Sequence, residues 1–100
     1  MASSLPGMPI LDPVEERVLN QFASYWGSDY QPTVLEALGI DESISRRTVQ
    51  RRIEGLRSKG MICYQPDPND QRVKRIAPTD RALKYFSRYD QILNSTIQNR

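Results

Sequence analysis

Histidine is absent from this 100-residue chain and cysteine occurs once, at Cys63. The first absence removes imidazole general-base chemistry and the usual Cys/His zinc layouts. The second excludes an internal disulfide and fits a reducing cytosol. No apolar run approaches the roughly 18 residues of a membrane span. The opening residues, MASSLPGMPILDP, lack the basic and apolar regions of a signal peptide. There is no glycine-rich loop to cradle a phosphate, no internal repeat and no low-complexity segment. An enzyme is therefore not expected, nor a cofactor or a metal, and the expected location is cytoplasmic. The length suits a single domain with a modest core.

Charge is present but unevenly spread. Residues 1–43 hold one Arg, Arg17, against seven acids, whereas residues 44–100 hold thirteen Lys and Arg against five. A basic half concentrates cations where a polyanion docks, and the acidic half is expected to face away from it.

At the start of that basic half lies the stretch 45–60, SRRTVQRRIEGLRSKG. On a 3.6-residue period Val49, Ile53 and Leu56 form one stripe, and Arg47, Arg51 and Ser58 project opposite it beside Glu54. Gln50 and Arg57 lie on one flank, Thr48 and Arg52 on the other. Ser45 suits an N-cap, and Gly60 a left-handed stop after Lys59. Such a helix, apolar behind and rich in Arg, Gln and Thr in front, is suited to nucleic acid. The competing reading is an ordinary solvated, arginine-rich face.

The flanking segments favour nucleic acid. Asp12-Pro13 with Glu15 predicts a capped first helix, its stripe formed by Val14, Val18, Leu19, Phe22, Tyr25 and Trp26, ending at Gly27-Ser28. Phe22 and Trp26 lie in register with the aliphatics and read as core. Pro32-Thr33 begins a short second helix through Leu38, with Val34, Leu35 and Leu38 on its buried side and Gly39 at its end. A tight connection over 40–44 leads to the helix at 45–59. The pair predicts a helix-turn-helix whose first helix braces a second that enters a major groove.

Beyond Gly60 the pattern changes. Strand-like segments at 61–65 and 72–77 flank Pro66-Asp67-Pro68-Asn69-Asp70, predicting a β-hairpin wing over 61–77. Arg72, Lys74 and Arg75 would load one strand, and arginine suits the negative potential of a minor groove. Pro78-Thr79-Asp80 starts a last helix with Leu83, Phe86, Asp90, Leu93 and Ile97 on one stripe, widened by Ala82, Tyr89 and Ile92. Its distal part, with Tyr89, Ile92, Leu93 and Ile97, is expected to meet a second copy of the chain. The alternative is that it folds back on the first helix. The expected fold is mainly α with a small β-hairpin, a winged helix-turn-helix of order α-α-α-β-β-α. A flexible arm would cover 1–10, the DNA-binding domain 11–78 and a C-terminal helix 79–100.

Ser45, Thr48-Val49, Arg51, Leu56 and Lys59-Gly60-Met61-Ile62, followed by Asp70-Gln71-Arg72 and Thr79, carry a family resemblance. Over 14–85, and most closely over 45–82, the chain resembles the MarR-type winged helix-turn-helix transcription regulators. Pro78 and Ala82 depart from the Leu and Gly of that family's wing signature. The resemblance implies that Arg72 reaches a minor groove and that Asp70 holds it, or a neighbouring basic group, by a charge-assisted hydrogen bond. It also implies that Thr48, Gln50 and Arg51 face bases or nearby phosphates, and that the chain is a dimeric regulator, most simply a repressor. The short arm and single terminal helix suggest a trimmed relative, from a phage or mobile element.

Side-chain chemistry divides the basic residues further. Arg47, Gln50 and Arg51 are candidates for base edges, because Arg pairs bidentately with guanine and Gln with adenine. Arg46, Arg52, Arg57, Lys59, Lys74 and Arg75 are candidates for phosphates, which fix register rather than sequence. The expected partner is double-stranded DNA bound by a homodimer on an inverted repeat, with no membrane and an effector left open. The alternatives are a winged helix used for protein contact and a phage DNA-binding module for replication or packaging. A redox role for Cys63 is conceivable, but between Ile62 and Tyr64 it reads as structural.

Overall fold

The computed structural model of the chain describes residues 8–87. Helix α1 (Pro13–Gly27) starts on the expected box: the Asp12 carboxylate accepts the Glu15 N–H at 2.7 Å, and Glu15 Oε1 accepts the Asp12 N–H at 2.9 Å. Helix α2 (Val34–Leu38) repeats this device with Thr33 and Glu36, and Gly39 closes it. Helix α3 (Arg46–Ser58) is capped by Ser45, whose hydroxyl accepts the Thr48 N–H at 3.1 Å. Its far end is a Schellman stop. Met61 N–H bonds the Leu56 carbonyl, Gly60 N–H bonds that of Arg57, and Gly60 takes φ +75°.

Strands β1 (Ile62–Pro66) and β2 (Lys74–Pro78) pair antiparallel, with Ile62 opposite Pro78 and Pro66 opposite Lys74. A single bridge between Thr33 and Arg75, with Ile76 N–H on the Pro32 carbonyl at 2.8 Å, fastens β2 to the entry of α2. Residues 80–87 form a fourth helix, α4. Thr79 caps it through the Ala82 N–H and donates its hydroxyl to the Gly60 carbonyl at 2.6 Å. The order is thus α-α-α-β-β-α, as the sequence predicts.

Val18, Leu19 and Phe22 of α1 meet Val49, Ile53 and Leu56 of α3 in the core, with Ala37, Met61, Ile62, Ile76, Ala82 and Tyr85 around them. Complete burial of each large side chain is worth roughly 1.5–3 kcal/mol, which sets the crossing of α1 and α3. Trp26 packs on this core and donates its indole N–H to the Ile76 carbonyl at 3.0 Å, tying α1 to the wing.

Several expectations are corrected. Leu35 is 71% exposed, and Ala37 is the buried residue of α2 instead. Tyr25 and Leu83 are likewise exposed, so the buried stripe of α4 runs through Ala82 and Tyr85. Met61 and Arg72 fall outside the strands, whose pairing begins one residue later at β1 and two later at β2. Met8 packs against the core and Leu11 is buried, so the end of the expected arm is tied down. Residues 1–7, and the expected contact residues Tyr89, Ile92, Leu93 and Ile97 together with Asp90, lie outside the described residues.

Candidate nucleic-acid interface

With its apolar stripe buried, α3 turns Arg46, Arg47, Gln50, Arg51, Glu54 and Arg57 to solvent. Among the described residues Arg46, Arg47 and Arg51 form no ion pair. Arg57 lies over the Tyr64 ring, its guanidinium carbon 4.0 Å from the centroid, which joins the end of α3 to β1. Ser45 and Thr48 are occupied with each other: besides the cap, the Ser45 hydroxyl donates to Thr48 Oγ1 at 2.9 Å.

The back of α3 is neutralised by α1. Lys59 Nζ lies 2.6 Å from Glu15 Oε1 and also donates to the Ile10 carbonyl at 2.9 Å. Arg52 Nε stands 3.3 Å from Asp12 Oδ2. The acidic first half is therefore not simply turned away from the basic half, because two of its acids are spent on it. In the turn between α2 and α3, buried Asp41 accepts from Ser43 N–H and Oγ–H, Gln21 Nε2 and Arg17, the last at 2.6 Å. These contacts, the Ser43 hydroxyl first, hold its carboxyl below the usual range and fix the approach of α3.

Equal care is taken at the wing. Asp67 is buried, and its Oδ1 accepts the Asn69 and Asp70 N–H groups at 2.7 and 3.2 Å. Its Oδ2 accepts Arg75 Nε at 2.5 Å, while Arg75 Nη1 donates to the Gln31 carbonyl at 2.6 Å. The Asn69 amide and then Arg75 keep the Asp67 carboxyl well below its ordinary pKa. Arg75 thus braces the base of the wing. At the tip, Arg72 is 92% exposed at its side chain yet aimed, its Nε and Nη2 meeting the two Asp70 oxygens at 3.1 and 3.3 Å. Arg72 in turn lowers the Asp70 pKa. Lys74 stands exposed at the start of β2.

The structure therefore sorts the sequence candidates. Arg46, Arg47, Gln50, Arg51, Arg57 and Lys74 face solvent, Arg72 is exposed but paired with Asp70, and Arg52, Lys59 and Arg75 are held by partners within the chain. Sequence reading passes over Asp41 and takes Asp67 only as part of the turn, yet the two shape both ends of the site. For Asp67 a signal exists, since Asp-Pro-Asn is a side-chain-closed turn. Between α2 and the wing lies a groove of about 630 Å³ lined by Val34, Leu35, Leu38, Tyr64 and Val73, with Arg72 and Lys74 at its rim. No helix among the described residues is long and apolar enough to cross a membrane.

By sequence, the chain matches neither a family profile nor a curated protein. By structure it superposes on S. aureus MepR from a DNA complex with a TM-score of 0.67 and 18% identity, over 89% of this chain and 69% of that one. A transcriptional regulator from Thermotoga maritima gives 0.69 and 16%, over 89% and 59%. A MarR protein from Peptoclostridium difficile gives 0.59 and 17%, over 87% and 54%. The chain spans only about half to two thirds of these neighbours' lengths. What it shares with them is the winged helix-turn-helix fold of the MarR-type transcription regulators.

Proposed function

We propose that the chain is a sequence-specific double-stranded DNA-binding protein acting as a MarR-like transcription regulator, with no catalytic role. One observation carries this: the α3 front presents exposed Arg46, Arg47 and Arg51, none in an ion pair among the described residues, and the wing presents exposed Arg72 and Lys74, on the two elements that a winged helix lays on a duplex. Helix α3 enters the major groove, and Arg47, Gln50 and Arg51 meet base edges. Arg46, Arg57 and Lys74 meet phosphates, and Arg72, steadied by Asp70, enters the minor groove. The solved MepR complex supports this reading, because a protein of this fold is held there on DNA. Residues 11–78 form the DNA-binding unit. A dimer joined through the segment 79–100 would place two α3 helices on half-sites about 34 Å apart.

Replacement of one α3 arginine tests the assignment. Arg51→Ala should cost roughly 1–3 kcal/mol on a sequence selected from a random pool and relax preference at one base position. Equal weakening on selected and random DNA would make Arg51 a phosphate ligand. A second reading has support in the apolar groove beside α2: a winged helix used for protein contact, with exposed Leu35 in its lining. Under that reading Leu35→Ser abolishes partner capture and the folded protein ignores DNA at low salt.

A further inference from the structure

One side chain on the front of α3 is not explained by phosphate binding. Glu54 follows Gln50 by four residues and Arg51 by three, so helical spacing sets the three on one face, and all are exposed. Val49, Ile53 and Leu56 are buried behind them, so the helix cannot roll to carry Glu54 away from that face.

Two arginines stand within reach along the helix, Arg51 one turn before Glu54 and Arg57 one turn after, at the spacing where oppositely charged side chains ordinarily meet. Neither is engaged: among the described residues Glu54 forms no ion pair. Arg57 is drawn instead over the Tyr64 ring, 4.0 Å from its centroid. Ser58, four residues on, gives its hydroxyl to the Gly55 carbonyl at 3.3 Å. A carboxylate is thus left unspent on a cationic surface.

For a face that only gathers phosphates, such a group is a cost, because like charges set against each other repel. A base edge offers the compensation. In the major groove guanine presents two acceptors, thymine an acceptor and a methyl group, and adenine an acceptor beside its amine. Cytosine presents its amine donor alone. A carboxylate only accepts, so cytosine is the base that meets it without opposition.

We infer that Glu54 reads a cytosine in the major groove and sets the selectivity of the chain by opposing duplexes that lack an amine at that place. This rests on the DNA-binding function proposed above and adds a residue to it. The arginines of α3 supply attraction to any duplex, and Glu54 supplies the difference between sequences. About 4.5 Å of helix rise separates Glu54 from Arg51, and base pairs stack roughly 3.4 Å apart. The cytosine therefore lies about one or two base pairs from the one read by Arg51.

The experiment selects duplexes from a random pool with the full chain, with Glu54→Gln and with Glu54→Ala. Anisotropy then measures each protein on the wild-type sequence, on that sequence with the cytosine pair replaced by a thymine pair, and on random duplex. Both substitutions place a good helix former at an exposed position, and circular dichroism checks that the fold is kept. The wild-type pool should hold a cytosine that the Glu54→Ala pool lacks, and Glu54→Gln should favour adenine there. Replacing the cytosine should weaken the wild-type chain about tenfold and leave Glu54→Ala within about twofold. On random duplex at low salt Glu54→Ala should bind about threefold tighter. Base preference unchanged in folded Glu54→Ala, with wild-type binding intact, would overturn the assignment of Glu54 alone. So would a preference relaxed only at the position that Arg51→Ala relaxes, which would make Glu54 a positioning residue for that arginine. Failure of the wild-type chain to bind any duplex would overturn the proposed function, and this inference with it.

Discussion

Gly55 lies on the side of α3 turned to α1, where an added Cβ would come within 2.5 Å of Glu15 Oε2. In an ordinary helix interior Gly→Ala stabilises by about 1 kcal/mol. Here the buried Glu15 carboxylate has little room to yield, because its other oxygen is held by the Asp12 N–H and Lys59. Gly55→Ala should therefore destabilise by roughly 1–3 kcal/mol, the usual cost of overpacking. In a Glu15→Ala background the same change should become neutral or stabilising, as thermal unfolding followed by Trp26 fluorescence would reveal. A stabilising Gly55→Ala in the wild-type chain would show that the carboxylate moves freely. The two exposed-or-paired classes of cation also separate at this scale. Lys74→Ala should lower the salt dependence of DNA binding by about one. Lys59→Ala should leave that slope unchanged and lower the melting temperature, since its charge is spent on Glu15. Equal slopes for the two variants would contradict this sorting.

At the scale of elements, the wing and the α2–α3 turn are each closed by a buried aspartate held below its ordinary pKa: Asp67 by the Asn69 amide and Arg75, and Asp41 by Ser43. A depressed carboxyl pKa contributes stability that is complete above the unfolded value, near 4, and is lost as pH falls through the folded value. The chain has no histidine to titrate between pH 5 and 7. The melting temperature should therefore stay nearly flat from pH 7 to 5 and fall below about pH 4. Asp67→Asn should lower it at pH 7 and flatten the acid slope; an acid slope unchanged by this substitution would exclude Asp67 as a source.

The same elements show what the sequence made readable. Helices α1 and α3 were legible because several turns of apolar spacing and complete caps agree, and Val49, Ile53 and Leu56 are indeed buried. Helix α2 extends little beyond one turn, too short for spacing to choose a face, so Leu35 was misplaced. In the wing the turn residues were legible, whereas the partners of Arg75 and Lys59 were not. Glu15 is 44 residues from Lys59 and the Gln31 carbonyl 44 from Arg75, and local pattern carries no information over such separations. Arg72 with Asp70 was expected from the family resemblance, not from local pattern.

Across the whole molecule, α1 acts as counter-charge and scaffold together. Asp12 and Glu15 neutralise Arg52 and Lys59 behind α3, which leaves Arg46, Arg47 and Arg51 on its front as unpaired cations among the described residues, with Lys74 on the wing. The fold alone does not make a DNA-binding protein, because the same architecture can serve other contacts. This distribution of unspent cations is what favours DNA. The most direct measurement is anisotropy of a labelled random duplex with the purified chain across a series of salt concentrations. Affinity should fall with salt at a log–log slope of about −3 to −5, as release of counterions from several phosphates requires. Absence of binding at low salt by the folded protein, or a slope near zero, would contradict the DNA interface and leave the groove beside α2 as the functional surface.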